Sequence, residues 1–287
     1  MSGGLPGPSG TAAVLGLGII GSRACRLLAD SGWRVNCWNR TPKGLPGEAA
    51  TPEAAIDGAA VISIYLKDAP AVRDIAARIG PFLKPGQIVL NHATVDLETT
   101  LWFENHCLER GCRFLDAPFT GSKVAATAGQ LVYYTGGDDS LAAELDVYLS
   151  ATSKSRLPCG PVGAATVVKL ATNLISACTV QAMAEAMAIA TRHGVPAERL
   201  MDAVSQNASG SALSAMKFPA MISGNYETHF SLSNMGKDSR YMLALAESAG
   251  VETPAIAAVS RRLAELEDAG HGGMDYSVLA KPYLKQP

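Results

Sequence analysis

Charge of one sign is what this 287-residue chain most conspicuously lacks: 24 Lys and Arg nearly balance 26 Asp and Glu, for a net charge of -2. Such a balance carries no electrostatic footprint for nucleic acid or an anionic membrane, so the expected partner is a small molecule. The 6 cysteines, Cys25, Cys37, Cys107, Cys112, Cys159 and Cys178, never form a C-x-x-C pair. That spacing argues against a zinc or dithiol redox site and for reduced thiols in a cytoplasmic protein. The 5 histidines show no mutual ligand spacing, and no metal is assigned. No uninterrupted apolar run reaches the ~18 residues of a membrane span. The opening MSGGLPGPSG has neither the basic start nor the apolar block of a signal peptide, and residues 1–10 read as a flexible lead-in.

Apolar residues and glycine, by contrast, are plentiful: 48% of the chain is hydrophobic and 28 residues are Gly. Such a chain can bury a sizeable core. From Thr11 onward, short β-like segments alternate with helical ones. AAVLGLG, WRVNCW, AAVISIYL, QIVLNHAT and CRFLDAP read as strands, and IIGSRACRLLADSG, APAVRDIAARIGPFL and LETTLWFENHCLERG as helices. Repeated β-α alternation predicts a doubly wound parallel sheet covered on both faces, with ligands at the carboxyl ends of its strands. LVYYTGG and KSRLPCG add candidate edge strands. After Gly160–Gly163 only helical patterns remain. The expected architecture is therefore an α/β domain over residues 11–163, of the Rossmann type, then an all-α domain over 164–287, joined by one long helix. That helix, running to about Arg192, is apolar on most sides, and covering it implies a homodimer or higher oligomer.

The first strand runs into GLGIIG, which places Gly16, Gly18 and Gly21 in G-x-G-x-x-G spacing at a strand-to-helix junction. The first Gly permits a tight turn, the second admits a pyrophosphate to the backbone, and the third lets helix and strand pack closely. The whole turn, Gly16, Leu17, Gly18, Ile19, Ile20 and Gly21, is thus a dinucleotide site. An NAD-preferring site usually ends the second strand with Asp or Glu. Here Asn39, Arg40 and Thr41 occupy that position, with Lys43 close behind, and a guanidinium can hold a 2′-phosphate that a carboxylate would repel. NADP(H) is the expected cofactor.

In DAPFTGSK, Thr120 and Ser122 offer hydroxyls, Gly121 a backbone N–H and Lys123 a charge, a set suited to a carboxylate. ATVVKLATN puts Lys169 and Asn173 one turn apart on a helix otherwise apolar around them. In isolation, such a lysine snorkels or pairs. Opposite a dinucleotide fold and a polar loop, chemistry becomes the better reading.

GLGIIG, DAPFTGSK, GPVGAATVVKLATN and FSLSNMGKD, in that order, resemble the β-hydroxyacid dehydrogenase family, which includes 3-hydroxyisobutyrate dehydrogenases and glyoxylate/succinic semialdehyde reductases. The resemblance implies that Thr120, Gly121 and Ser122 bind the substrate carboxylate and that Lys169 is catalytic, with Asn173 binding or positioning the substrate. It further implies that Lys237 and Asp238 lie near the cofactor, and that Leu66, Ala93 and Thr94 line the cofactor site. Thr120 stands where serine is frequent, Ala93 replaces a common serine beside His92, and Phe119 is bulkier than usual and expected to narrow the pocket. The GSK variant and the basic second-strand end lean toward the semialdehyde reductase branch. An imine reductase on the same scaffold, disfavoured by Lys169, and an inactive dinucleotide-binding scaffold are the competing readings.

Overall fold

A computed structural model describes residues 10–284; but for Gly10, the lead-in lies outside the described residues. The chain divides after Lys169 into two compact units. The first contains β1 (Thr11–Leu15), α1 (Gly21–Asp30), β2 (Arg34–Trp38), α2 (Pro52–Ile56), β3 (Val61–Ile64), α3 (Ala69–Ile79), β4 (Ile88–Asn91) and α4 (Leu97–Leu108). It continues with β5 (Arg113–Asp116), β6 (Phe119–Thr120), α5 (Lys123–Thr127), β7 (Leu131–Gly136), α6 (Asp139–Glu144), α7 (Asp146–Ser150) and β8 (Ser153–Gly160). These strands form an 8-stranded sheet in the order β2-β1-β3-β4-β5-β7-β6, with β8 beside β7.

β2, β1, β3, β4 and β5 are parallel. Every residue of β3 and β4 is buried, as expected for strands covered on both faces. The strand order reverses between β1 and β3, so the carboxyl ends of these two strands open the crevice in which a doubly wound sheet takes its ligand. The sheet departs from the all-parallel expectation at β7, which runs antiparallel to β5 and β6. Its connection from β6, residues 121–130, is too short for the crossover a parallel neighbour requires.

The long helix α8 (Ala164–Arg192) links the units, and the second unit adds α9 (Ala197–Ser205), α10 (Ala212–Ser223), α11 (Leu232–Ser248), α12 (Pro254–Leu266) and α13 (Lys281–Leu284). This is the Rossmann-type α/β domain followed by an all-α domain. In the helical unit, Leu170, Val180, Met183 and Met187 of α8 pack with Phe218, Met221, Leu263 and Tyr276. The methionines of QAMAEAMAIA are thus core residues, their flexible side chains filling the space between helices. By length and composition α8 is also apolar enough to cross a membrane, its most apolar window having a mean hydropathy of 1.4.

The start of α8 is held by Asp116, the last residue of β5. Its carboxylate, 0% exposed, accepts from the Thr166 backbone N–H at 2.9 Å and the Thr166 hydroxyl at 2.9–3.0 Å. A first-turn N–H has no partner within its own helix, and here a carboxylate 50 residues earlier supplies one. Thr166 Oγ1 also lies 2.9 Å from Thr100 Oγ1. Burial pushes the Asp116 carboxyl up to about 7, with the hydrogen bonds from Thr166 and Gly163 acting against that rise.

A carboxyl raised from its unfolded value of about 3.9 binds a proton more tightly in the folded state. Its contribution to stability is therefore fully present below about pH 4 and is lost as pH rises toward about 7. Thermal unfolding of the wild type and Asp116→Asn between pH 4 and 8 should show the wild type losing ground to the variant across that window. A Tm difference independent of pH would show that Asp116 is ionised throughout.

Candidate active site

Three glycines shape the turn after β1, each for a different reason. Gly16 adopts φ 101°, and a Cβ there would collide with the Tyr65 carbonyl and meet Leu66 Cδ2 at 3.0 Å. Leu66, at the end of β3, is thereby placed against the turn across the crevice. A Cβ on Gly21 would sit on the Gly16 carbonyl oxygen. At Gly18 it would meet nothing within 4 Å. The backbone is thus tight where chain meets chain and open where a pyrophosphate would approach. No side chain caps the first turn of α1 and no acidic residue lies in it, leaving its N-terminus available to an anion. The turn fits a dinucleotide.

Asn39, at the end of β2, braces this turn. Its Oδ1 accepts from the Leu17 N–H at 2.9 Å and its Nδ2 donates to the Thr41 carbonyl at 2.7 Å. Arg40, Thr41 and Lys43 are exposed beside it. Glu48, which the sequence reading did not single out, organises the same loop by accepting from the Lys43 N–H at 2.9 and 3.0 Å and the Leu45 N–H at 3.1 Å. The Lys43 N–H is the leading cause that holds its carboxyl below the usual range.

Thr94 is half-buried after β4, while Ala93 is 3% exposed and tied to Asn91, whose Oδ1 accepts from the Ala93 N–H at 3.2 Å. In the loop after β5, Thr120 pairs with Val132 of β7, and Gly121 adopts φ 136°. Ser122 caps α5 by accepting from the Ala125 N–H at 3.4 Å, which leaves its own hydroxyl proton free to be donated. Lys123 opens α5. Phe119 is half-buried, its ring packed 6.1 Å from Tyr65 and 6.4 Å from Tyr133. Phe119 is thereby fixed by aromatic packing at the start of the loop.

Lys169 and Asn173 are each 8% exposed and lie on the buried stripe of α8. Within the helical unit, Asn173 Nδ2 donates to Asp238 Oδ2 at 2.8 Å, and Lys237 Nζ lies 2.6 Å from Asp238 Oδ1. Asp238 is 1% exposed and engaged through both oxygens. It holds Asn173 and Lys237, the contacts the structure gives a residue that the family resemblance places near the cofactor. Lys237 also lies 4.8 Å from the Tyr241 ring. Among the described residues no group of three His, Cys, Asp or Glu is placed to hold a metal ion.

Residues 11–170 match the family model described as the NAD binding domain of 6-phosphogluconate dehydrogenase. Residues 163–283 match the NAD-binding domain of NADP-dependent 3-hydroxyisobutyrate dehydrogenase. Glyoxylate/succinic semialdehyde reductase 2, chloroplastic, of Arabidopsis thaliana is 30% identical over 275 residues, covering 92% of this chain and 77% of that protein. The chain belongs to the β-hydroxyacid dehydrogenase family. A solved structure of Mycobacterium tuberculosis 3-hydroxyisobutyrate dehydrogenase with L-serine shares the fold at a TM-score of 0.89, with 22% identity over 96% of this chain and 99% of that one. The cytokine-like nuclear factor N-PAC of Mus musculus is 26% identical over 94% of this chain, which spans 50% of that longer protein. As a member of that family the chain is of the dehydrogenase type, an oxidoreductase with a nicotinamide dinucleotide domain.

The glycine geometry separates binding from folding. Gly18→Ala should fold with a Tm within a few degrees of wild type yet lose nicotinamide dinucleotide binding by at least about tenfold, whereas Gly21→Ala should be strongly destabilised, as expected of a core clash. Calorimetric unfolding together with cofactor titration measures both. Equal effects of the two substitutions on stability would contradict the assignment.

Proposed function

We propose that this chain is an NADPH-dependent reductase of small aldehyde or keto acids, such as succinic semialdehyde or glyoxylate, acting reversibly. The observation that carries the reading is Lys169: a lysine 8% exposed, one helical turn from an asparagine whose amide is held by Asp238. The reductase named in the Arabidopsis relative supports the substrate class. Exposed Arg40 and Lys43, with a neutral Asn39 in place of a carboxylate, support NADPH.

When bound, the dinucleotide supplies the hydride that reduces the carbonyl carbon. The Lys169 ammonium hydrogen-bonds the carbonyl oxygen, stabilises the negative charge that develops there and donates its proton, leaving a hydroxy acid and a neutral amine. In the oxidative direction that amine takes the hydroxyl proton. Asn173 orients the same oxygen, its own orientation fixed because one amide N–H is committed to Asp238. The hydroxyls of Thr120 and Ser122 and the Gly121 N–H receive the substrate carboxylate. Intact Lys169 and an intact glycine turn favour catalysis over a binding-only role.

NADPH consumption should be followed with glyoxylate, succinic semialdehyde, methylmalonate semialdehyde and a cyclic imine. At least one acid should turn over. Lys169→Ala should lower kcat by roughly 10²–10⁴-fold while NADPH still binds, and Arg40→Ala should erode the preference for NADPH over NADH. Near-normal turnover by Lys169→Ala would defeat the mechanism; an unchanged coenzyme preference in Arg40→Ala would remove that residue from the phosphate site.

A second copy of the chain is proposed to cover the apolar stripe of α8 that faces outward, where Val167 is 36% exposed and Ile175 and Ile189 are each 63% exposed. Light scattering at micromolar concentration should give at least a dimer, dissociated by Ile175→Glu. A monomeric wild type would refute the oligomer.

A further inference from the structure

The turn after β4 carries a histidine that the proposed chemistry leaves unused. His92 is 1% exposed, and its backbone N–H donates to the Ile64 carbonyl at 3.0 Å. Its ring stacks on Tyr65, with centroids 4.4 Å apart and planes 18° from parallel, and lies 4.9 Å from the Tyr133 ring. Nδ1 is 2.8 Å from the Ala117 carbonyl oxygen, and Nε2 is 3.1 Å from Ser63 Oγ. A carbonyl oxygen can only accept, so Nδ1 carries the proton. Nε2 then accepts from the Ser63 hydroxyl, whose oxygen, 2.9 Å from the Tyr148 hydroxyl, accepts from that phenol. A single neutral tautomer satisfies every member of the chain. Burial lowers the His92 pKa to about 4, and the Ala117 carbonyl opposes that fall. Both ring nitrogens are thus committed within the fold, and burial favours the neutral imidazole.

Two segments meet on this ring. One is the β4 turn, with Ala93 and Thr94 directly after the histidine. The other begins at Ala117, continues through Pro118, whose carbonyl accepts from the Tyr134 N–H at 2.9 Å, and ends in Phe119 and Thr120. Phe119 packs against the rings of Tyr65 and Tyr133, whose hydroxyls are 2.7 Å apart, so the second segment meets the aromatic set around His92 again two residues later. The Ala117 N–H also donates to the Asn91 carbonyl at 2.9 Å.

We infer that His92 is a positioning residue: its Nδ1–H bond to Ala117 holds the loop that receives the substrate carboxylate in register with the turn beside the nicotinamide. The inference rests on the reductase reading for the identity of those two segments. Hydride transfer is sensitive to registration of this kind, since a misplacement of about 1 Å can cost on the order of 10²-fold in rate.

Three substitutions separate this role from plain packing. His92→Asn keeps an amide N–H where Nδ1 lay, His92→Gln carries its amide past that position toward Ser63, and His92→Phe keeps the stacking and loses both bonds. Steady-state kinetics on the best acid of the panel, NADPH titration and thermal unfolding should be run on all three. His92→Gln and His92→Phe should raise the KM for the acid and lower kcat, for a loss of about tenfold or more in kcat/KM, with the NADPH Kd within about twofold of wild type. His92→Asn should recover most of kcat/KM even if its Tm is no higher than that of His92→Gln. In the wild type, ¹⁵N NMR should show His92 as the neutral Nδ1–H form from pH 5.5 to 8. The inference is overturned if the three variants lose activity only in proportion to Tm, if His92→Asn is as impaired as His92→Gln, or if His92 is an Nε2–H tautomer. A wild type inactive on every acid overturns the reductase reading, and the role of His92 with it; an active wild type indifferent to these substitutions overturns only the latter.

Discussion

The Asp116 carboxylate and the first turn of α8 form the contact on which the rest of the chemistry depends. β5 ends at Asp116 and the loop from Phe119 to Lys123 begins almost at once, so the residue that closes the strand also launches the loop. By taking the Thr166 N–H and hydroxyl, the same residue fixes the axial start and rotation of α8. Lys169 follows Thr166 by three residues, close to one turn of helix. One buried side chain thereby sets where the loop leaves the sheet and which way the lysine leaves the helix. Such a contact is expensive, since out of water the carboxyl has only the Thr166 and Gly163 donors in place of hydration.

Around it the unit follows ordinary α/β logic. Largely buried strands define a crevice at the β1/β3 reversal, and the Gly16–Gly21 turn lines it. Behind the turns after β3 and β4 the interior is not purely apolar: Ser63, Tyr65, His92, Tyr133, Tyr148 and Thr152 share hydrogen bonds and ring contacts. A satisfied polar network of this kind fixes side chains more narrowly than aliphatic packing, because each donor has one acceptor that suits it.

What could be read from the sequence was what is encoded locally. The glycine turn was legible because its constraints act over a few residues, and the alternation of strand and helix because burial on two faces leaves an unmistakable apolar pattern. Lys169 and Asn173 were legible as a pair because helical periodicity alone places them on one face. The rest depended on partners far apart in the chain. Nothing near Asp116 announces Thr166, and nothing near Asn173 announces Asp238, 65 residues further on. Nothing in the sequence sets Glu48 apart from other carboxylates, because its hydrogen bonds to the Lys43 loop exist only in the folded turn. The reversed direction of β7 follows from a connection length whose meaning depends on where β6 ends, and a two-residue strand is too short to be recognised by pattern. His92 stands out in the sequence only as the neighbour of Ala93, since its stacking on Tyr65 and bonding to Ala117 need three strands in place.

The brace made by Asn39 bears on how coenzyme preference can evolve on this scaffold. Aspartate at that position would keep the acceptor for the Leu17 N–H. It would also turn a second anionic oxygen toward the Thr41 carbonyl, where the amide now donates. Two acceptors face to face would force the β2 turn to rearrange before any ribose hydroxyl could be bound. A carboxylate at position 39 therefore cannot simply replace the amide within the present turn. The charge presented at Arg40 and the conformation of the loop tied down by Glu48 are thus coupled through one asparagine, so a carboxylate there would bring a change of backbone with its change of charge.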